Sequence, residues 1–124
     1  MEKLFGTDGV RGITNVELTP SKVLRLALSI GYYFGSGAKL LIGRDSRSGS
    51  SFIHHIVKGA LLSEGIRVYD AGLVPTPALQ YYVKENGFDG GVMITASHNP
   101  PEYSGLKVIM GDGVEAPRNV EEEI

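Results

Sequence analysis

The sequence predicts a three-layer α/β/α domain with a mostly parallel, mixed sheet of about four strands. Three observations carry this. Short apolar runs alternate with helical stretches of about 9 to 15 residues. The 17 glycines fall at the ends of those runs, where turns and close backbone approaches need them. The buried-strand pattern Gly90-Gly91-Val92-Met93-Ile94 stops in the polar run Thr95-Ala96-Ser97-His98-Asn99-Pro100-Pro101. Open α/β sheets place their sites at the carboxyl ends of strands, so this last loop is the first candidate for chemistry.

The elements follow in order. Phe5 to Gly12, FGTDGVRG, reads as a turn-rich segment with one Asp and one Arg between glycines. Thr19 as N-cap and Pro20 at the first helical position open a helix that runs to about Phe34. Val23, Ala27, Ile30 and Phe34 share one face, and Leu24, Leu28 and Gly31 are expected to widen it. Lys39 to Gly43 is a short strand leading into Arg44-Asp45-Ser46-Arg47-Ser48-Gly49. A second helix spans about Ser50 to Glu64, with Phe52, Ile53, Ile56, Val57, Ala60 and Leu61 at helical spacing and Gly65 at the C′ position. Ile66 to Asp70 alternates like a strand. Val74-Pro75-Thr76-Pro77 breaks the chain before a third helix, about Ala78 to Glu85, which Asn86-Gly87 closes. Gly105 to Met110 reads as a final strand. The serine loop is too short to carry a crossover helix, so this strand is free to run antiparallel. Arg118 to Ile124 reads as the opening of a further helix.

Composition narrows the function classes. The chain has 124 residues, the size of one domain, and 42% hydrophobic residues, enough for a core. The net charge is −2 and the Lys and Arg residues are dispersed, which argues against a nucleic-acid partner. No apolar run approaches the roughly 18 residues of a membrane span. There is no cysteine, so disulfides and thiolate metal sites are excluded. Met1 to Gly6 lacks the apolar core of a signal peptide. The expectation is a cytoplasmic protein.

Ser97 is the candidate nucleophile, and a serine hydroxyl needs a base or an electrophile to activate it. His98 is its neighbour, but adjacent residues on an extended loop point to opposite sides. His54 and His55 diverge by about 100° on their helix and are expected at the surface rather than as metal ligands. The nucleophile elbow Gly-x-Ser-x-Gly and the phosphate-binding P-loop are both missing. Arg11, Arg44, Arg47 and Lys107 fall near strand ends that a parallel sheet brings to one side. Cations around a serine suit a phosphorylated serine or a phosphate-bearing substrate. Arg44 and Arg47 also have a plain structural reading, with Asp45 as partner. A serine hydrolase or phosphatase and a non-catalytic sugar-phosphate-binding module remain open from the residues alone.

FGTDGVRG, GRDSRSG, PTPALQY, TASHNPP and Tyr103-Ser104-Gly105-Leu106-Lys107 resemble, in order and spacing, the first domain of the α-D-phosphohexomutase superfamily. This superfamily comprises phosphoglucomutases, phosphomannomutases and phosphoglucosamine mutases. The opening motif and Ala-Ser-His-Asn-Pro-Pro-Glu-Tyr are most similar to the archaeal and phosphoglucosamine-type branch. The resemblance spans essentially the whole chain. It implies an enzyme that interconverts hexose 1-phosphate and hexose 6-phosphate through a phosphoserine and a 1,6-bisphosphate intermediate. By the same resemblance Ser97 carries the phosphoryl group, His98 and Lys107 assist proton transfer, and Arg11 contacts the phosphoryl group. Mg²⁺ would bind a phosphoserine oxygen, so Ser97 would be a metal ligand through its phosphate, with the carboxylate loop absent from this chain. Residues 1–124 would then be the phosphoserine-bearing first of four domains, inactive alone, with the remaining domains and a hexose phosphate as partners. The chain departs from the family pattern at Ser104, where Asn is usual before Gly-x-Lys; serine offers fewer hydrogen-bonding groups there.

Overall fold

A computed structural model of the chain describes residues 10–13, 18–46, 50–95 and 103–117. The chain order is β1 (Val10–Ile13), α1 (Pro20–Phe34), β2 (Lys39–Arg44), α2 (Ser50–Ser63), β3 (Arg67–Leu73), α3 (Thr76–Glu85), β4 (Gly90–Ile94) and β5 (Tyr103–Met110). The helix expected from Arg118 onward lies outside the described residues.

The five strands form one sheet in the order β1-β5-β4-β2-β3. β2 pairs parallel with both β3 and β4, whereas β5 is antiparallel to β4 and to β1. Every strand except β5 therefore runs the same way, which is the mostly parallel, mixed sheet the sequence predicts. The strand beyond the expected four is β1. It takes the end of FGTDGVRG, read from sequence as turns, because its backbone completes the free edge of β5, Arg11 opposite Gly105 and Ile13 opposite Tyr103.

The layers follow from handedness. Going from β1 to β2 and from β2 to β3 the chain steps toward one edge, and from β3 to β4 it steps back past β2. Right-handed crossovers then put α1 and α2 on one face and α3 on the other. Strand residues divide accordingly. Leu40, Ile42, Val92, Ile94, Leu106 and Val108 join the α1/α2 core, while Leu41, Met93 and Ile109 pack with Leu79 and Val83 of α3.

Local sequence explains the fit. The Thr19 hydroxyl accepts from the Lys22 amide at the start of α1, with Pro20 at N1. The buried stripe of α1 is Val23, Leu26, Ala27, Ile30 and Gly31. Leu24, expected on this face, is 43% exposed. Leu26 takes the place because it lies three residues from Val23 and four from Ile30. In β4, a Cβ on Gly90 would meet the Phe34 ring at 2.6 Å and the Ile109 carbonyl at 2.7 Å. One on Gly91 would meet the Leu41 carbonyl at 2.8 Å and Val83 Cγ2 at 2.9 Å. Layers on both faces thus close on the start of β4 because its side chains are missing.

Candidate active site

The strand order reverses direction between β4 and β2, so the crevice at the topological switch point lies beyond the carboxyl ends of these two strands. The serine loop leaves β4 at this place. Ser97 and His98 themselves lie outside the described residues, as do Asn99, Pro100, Pro101 and Arg47. What the structure does describe is how both stems of the loop are held.

The exit from β4 is tied from two sides. The Ile94 carbonyl accepts from the Asp45 amide at 3.1 Å, and the Thr95 amide donates to the Gly105 carbonyl at 2.9 Å. Thr95 is buried. Ser97 follows two residues later in the sequence. On the return stem, Lys107 pairs with Met93 across β4/β5. Lys107 alternates with Leu106 and Val108 and so sits on the α3 face of the sheet, half-buried. It has no ion-pair partner among the described residues. The backbone of Arg11 pairs with Gly105, two residues before Lys107 on the same strand. The sheet therefore brings three sequence-predicted positions, Arg11, Lys107 and the root of the Ser97 loop, onto three adjacent strands.

Arg44 is structural in the described contacts. Its guanidinium reaches the Asp45 backbone carbonyl at 3.4 Å and the Ser50 hydroxyl at 3.3 Å. The expected Asp45 partnership is thus through main-chain oxygen. Ser50, fully buried at the first position of α2, donates its hydroxyl to that same Asp45 carbonyl at 2.8 Å. Sequence reasoning misses Ser50, although a signal exists: Ser50 stands at i−3, i−4 and i−7 from the buried Ile53, His54 and Val57. Beside this knot a cavity of about 300 Å³ opens between the ends of β2 and β3, lined by Arg44, Asp45, Ser46, Leu73, Val74 and Pro75.

The two helical histidines separate. His55 is exposed, with Nδ1 against the Ser51 carbonyl, as expected. His54 is buried, contrary to the expectation of a surface position. The physical reason is Asp70 on β3, whose carboxylate oxygen lies 2.8 Å from His54 Nε2. An ionised carboxylate only accepts, so Nε2 carries the proton. Asp70 also accepts from the Gly72 amide and from Lys58 Nζ. Partial burial raises the Asp70 pKa, but the His54 hydrogen bond, the Gly72 amide, the His54 charge and Lys58 together hold it below 3.8. Among the described residues no three His, Asp or Glu side chains come together to hold a metal ion.

The whole chain carries the signature of one family. Residues 2–124 match the family model for phosphoglucomutase/phosphomannomutase, alpha/beta/alpha domain I, and the chain belongs to this family. It is 60% identical over 124 residues to a phosphoglucosamine/phosphogalactosamine mutase of Sulfurisphaera tokodaii, covering all of this chain and 27% of that protein. It is 42% identical over 127 residues to a phosphoglucosamine mutase of Dictyoglomus turgidum, covering 100% of this chain and 28% of the relative. A crystal structure from Thermus thermophilus, assigned as a phosphomannomutase, superposes with a TM-score of 0.90 at 34% identity over 96% of this chain and 28% of that one. The chain thus spans about a quarter of the length of the curated relatives it matches. No helix of the described residues is long and apolar enough to cross a membrane.

Proposed function

We propose that this chain is the phosphoserine-bearing first of four domains of a phosphohexomutase that interconverts hexose 1-phosphate and hexose 6-phosphate. Ser97 carries the phosphoryl group. It donates that group to the sugar phosphate, and the resulting 1,6-bisphosphate returns its other phosphate to the serine. The single observation that supports this reading is the family match over residues 2–124, which includes TASHNPP, the sequence that follows β4. Relatives named for amino-sugar phosphates favour glucosamine or galactosamine phosphate over glucose or mannose phosphate as the substrate.

The chemistry fits the residues. Phosphoryl transfer needs in-line positioning and cancellation of charge on the equatorial oxygens more than a strong base. Arg11 and Lys107, on β1 and β5, would supply positive charge at the phosphoryl group. His98 and Lys107 would hold or pass the proton of the attacking hydroxyl. The chain on either side of the loop is held by the Asp45–Ile94 and Thr95–Gly105 hydrogen bonds, and Pro100 and Pro101 each fix one φ.

The reading includes Mg²⁺ as a cofactor, which supplies charge neutralisation in such transfers. A magnesium site needs several oxygen ligands. The described residues of this chain do not provide that set; the reading gives its carboxylates to a loop of the remaining domains, and no step here runs through the ion. The partners are a hexose phosphate and the remaining domains, in the cytoplasm, without nucleic acid or membrane.

The test is an assay of the full-length protein with glucosamine, galactosamine, glucose and mannose 1-phosphates in the presence of Mg²⁺. Interconversion to the 6-phosphate, fastest with an amino sugar and abolished by Ser97→Ala, is the expected result. Residues 1–124 alone should show negligible turnover; measurable conversion by this fragment contradicts the assignment of the missing ligands to other domains.

A further inference from the structure

Ser50 is a polar side chain with no exposed surface, on a helix face shared with His54 and otherwise occupied by Ile53, Val57, Ala60 and Leu61. A buried hydroxyl is tolerated where it satisfies a specific partner. Here that partner is the Asp45 carbonyl, which also receives the Arg44 guanidinium. The rest of the Arg44–Asp45 unit is engaged as well. The Arg44 carbonyl accepts from the Val74 amide, and the Asp45 amide donates to the Ile94 carbonyl. The unit is fixed by β3 on one side, by α2 above, and by β4 on the other.

The last of these bonds matters for the site. Ile94 is the final residue of β4, and its carbonyl is the last main-chain acceptor of that strand. The hydrogen bond from Asp45 sets the height of the strand end relative to β2. Three residues later the chain reaches Ser97. A shift of Asp45 therefore moves the last residue of β4, from which the chain continues to Ser97.

We infer that Ser50 and Arg44 are positioning residues for the Ser97 loop, acting through the Asp45 amide on the carboxyl end of β4. This rests on the phosphoserine reading of the site. Neither side chain is assigned a contact with substrate. Phosphoryl transfer is sensitive to in-line geometry, and a misplacement of about 1 Å can lower a rate up to about 100-fold. Removing the Ser50 hydroxyl takes one donor from the Asp45 carbonyl, leaving the Arg44 guanidinium, and loosens the residue whose amide anchors Ile94.

The experiment compares wild type, Ser50→Ala, Arg44→Met and His54→Ala in the full-length protein. It reads kcat and KM for the sugar phosphate, the phosphate carried on Ser97 by intact mass, and the circular dichroism spectrum. Ser50→Ala should lower kcat about tenfold or more, leave KM within about twofold, and keep the wild-type spectrum. Arg44→Met should lower kcat about threefold in the same pattern, and it decides the matter if Ser50→Ala does not fold. His54→Ala, one turn further along the same face, should leave kcat unchanged. A kcat within about twofold of wild type in the folded Ser50→Ala and Arg44→Met proteins overturns the inference, as does a rise in KM with kcat intact. If wild type turns over while Ser97 carries no phosphate, the proposed function fails first and is seen to fail separately.

Discussion

Two polar knots hang from one face of α2, four residues apart, and they stand in different structural surroundings. Ser50 meets the turn after β2, which is bonded directly to the end of β4. His54 meets Asp70 on β3, the outer strand of the sheet. Both side chains are buried and both bond a partner outside their own helix, although His54 Nδ1 has none among the described residues. The first knot lies at the switch point and has one neighbour between it and the serine loop. The second ties a helix to an edge strand that β2 separates from β4. Under the proposed function, equal burial therefore does not mean an equal role: the neighbour of the partner separates a group that positions the serine loop from one that only stabilises the domain.

Substitutions at the edge knot should separate the two. His54→Ala removes a buried ring and leaves a cavity, and it should destabilise the domain by about 2–3 kcal/mol in denaturant unfolding, with activity per folded molecule unchanged. A loss of kcat at constant stability would dissolve the distinction between the knots. Asp70→Asn keeps an acceptor for Nε2 but loses the charge that also faces Lys58, and it should lower stability by about 1 kcal/mol. Lys58→Ala, with its side chain 42% exposed, should change unfolding free energy by less than about 0.5 kcal/mol.

The pH dependence sharpens the same contrast. The Asp70 carboxyl titrates lower in the folded chain than the ordinary 3.8. A depressed carboxylate contributes stability that is complete above its unfolded value and is lost as pH falls through the folded one. The stability gap between wild type and Asp70→Asn should thus be present above the ordinary carboxylate value and shrink as pH falls through it. A gap that widens in acid would reverse the assignment of the ionised form to the native state. Ser50→Ala should show no such dependence, because neither Ser50 nor the Asp45 carbonyl titrates.

Much of this architecture is legible in the sequence, and the exceptions share a cause. Thr19-Pro20 places the start of α1, the stripe from Ile53 to Leu61 gives α2, and Gly90 to Ile94 is β4, because these signals are local. The alternation of strands and helices gives the mixed α/β sheet. β1 escapes sequence reasoning because Val-Arg-Gly-Ile has no strand period and owes its conformation to pairing with β5. His54 reads as a surface residue from sequence because its partner lies sixteen residues away. Leu26 in place of Leu24, and Ser50 as an anchor, depend on what packs above them. Of the site, Lys107 and the backbone of Arg11 fall on adjacent strands beside the loop stems. The identity of the loop is legible from its motif, whereas its supports, Asp45, Ser50 and Gly105, are set by strand order.

The central claim is that Ser97 carries a phosphoryl group. Its most direct test is the intact mass of the full-length protein as purified, with and without Ser97→Ala. The account predicts the mass of one added phosphoryl group in the wild type, absent in the variant and lost on incubation with excess hexose monophosphate. An unmodified, fully active wild type, or a phosphate that persists in the Ser97→Ala protein, would contradict it.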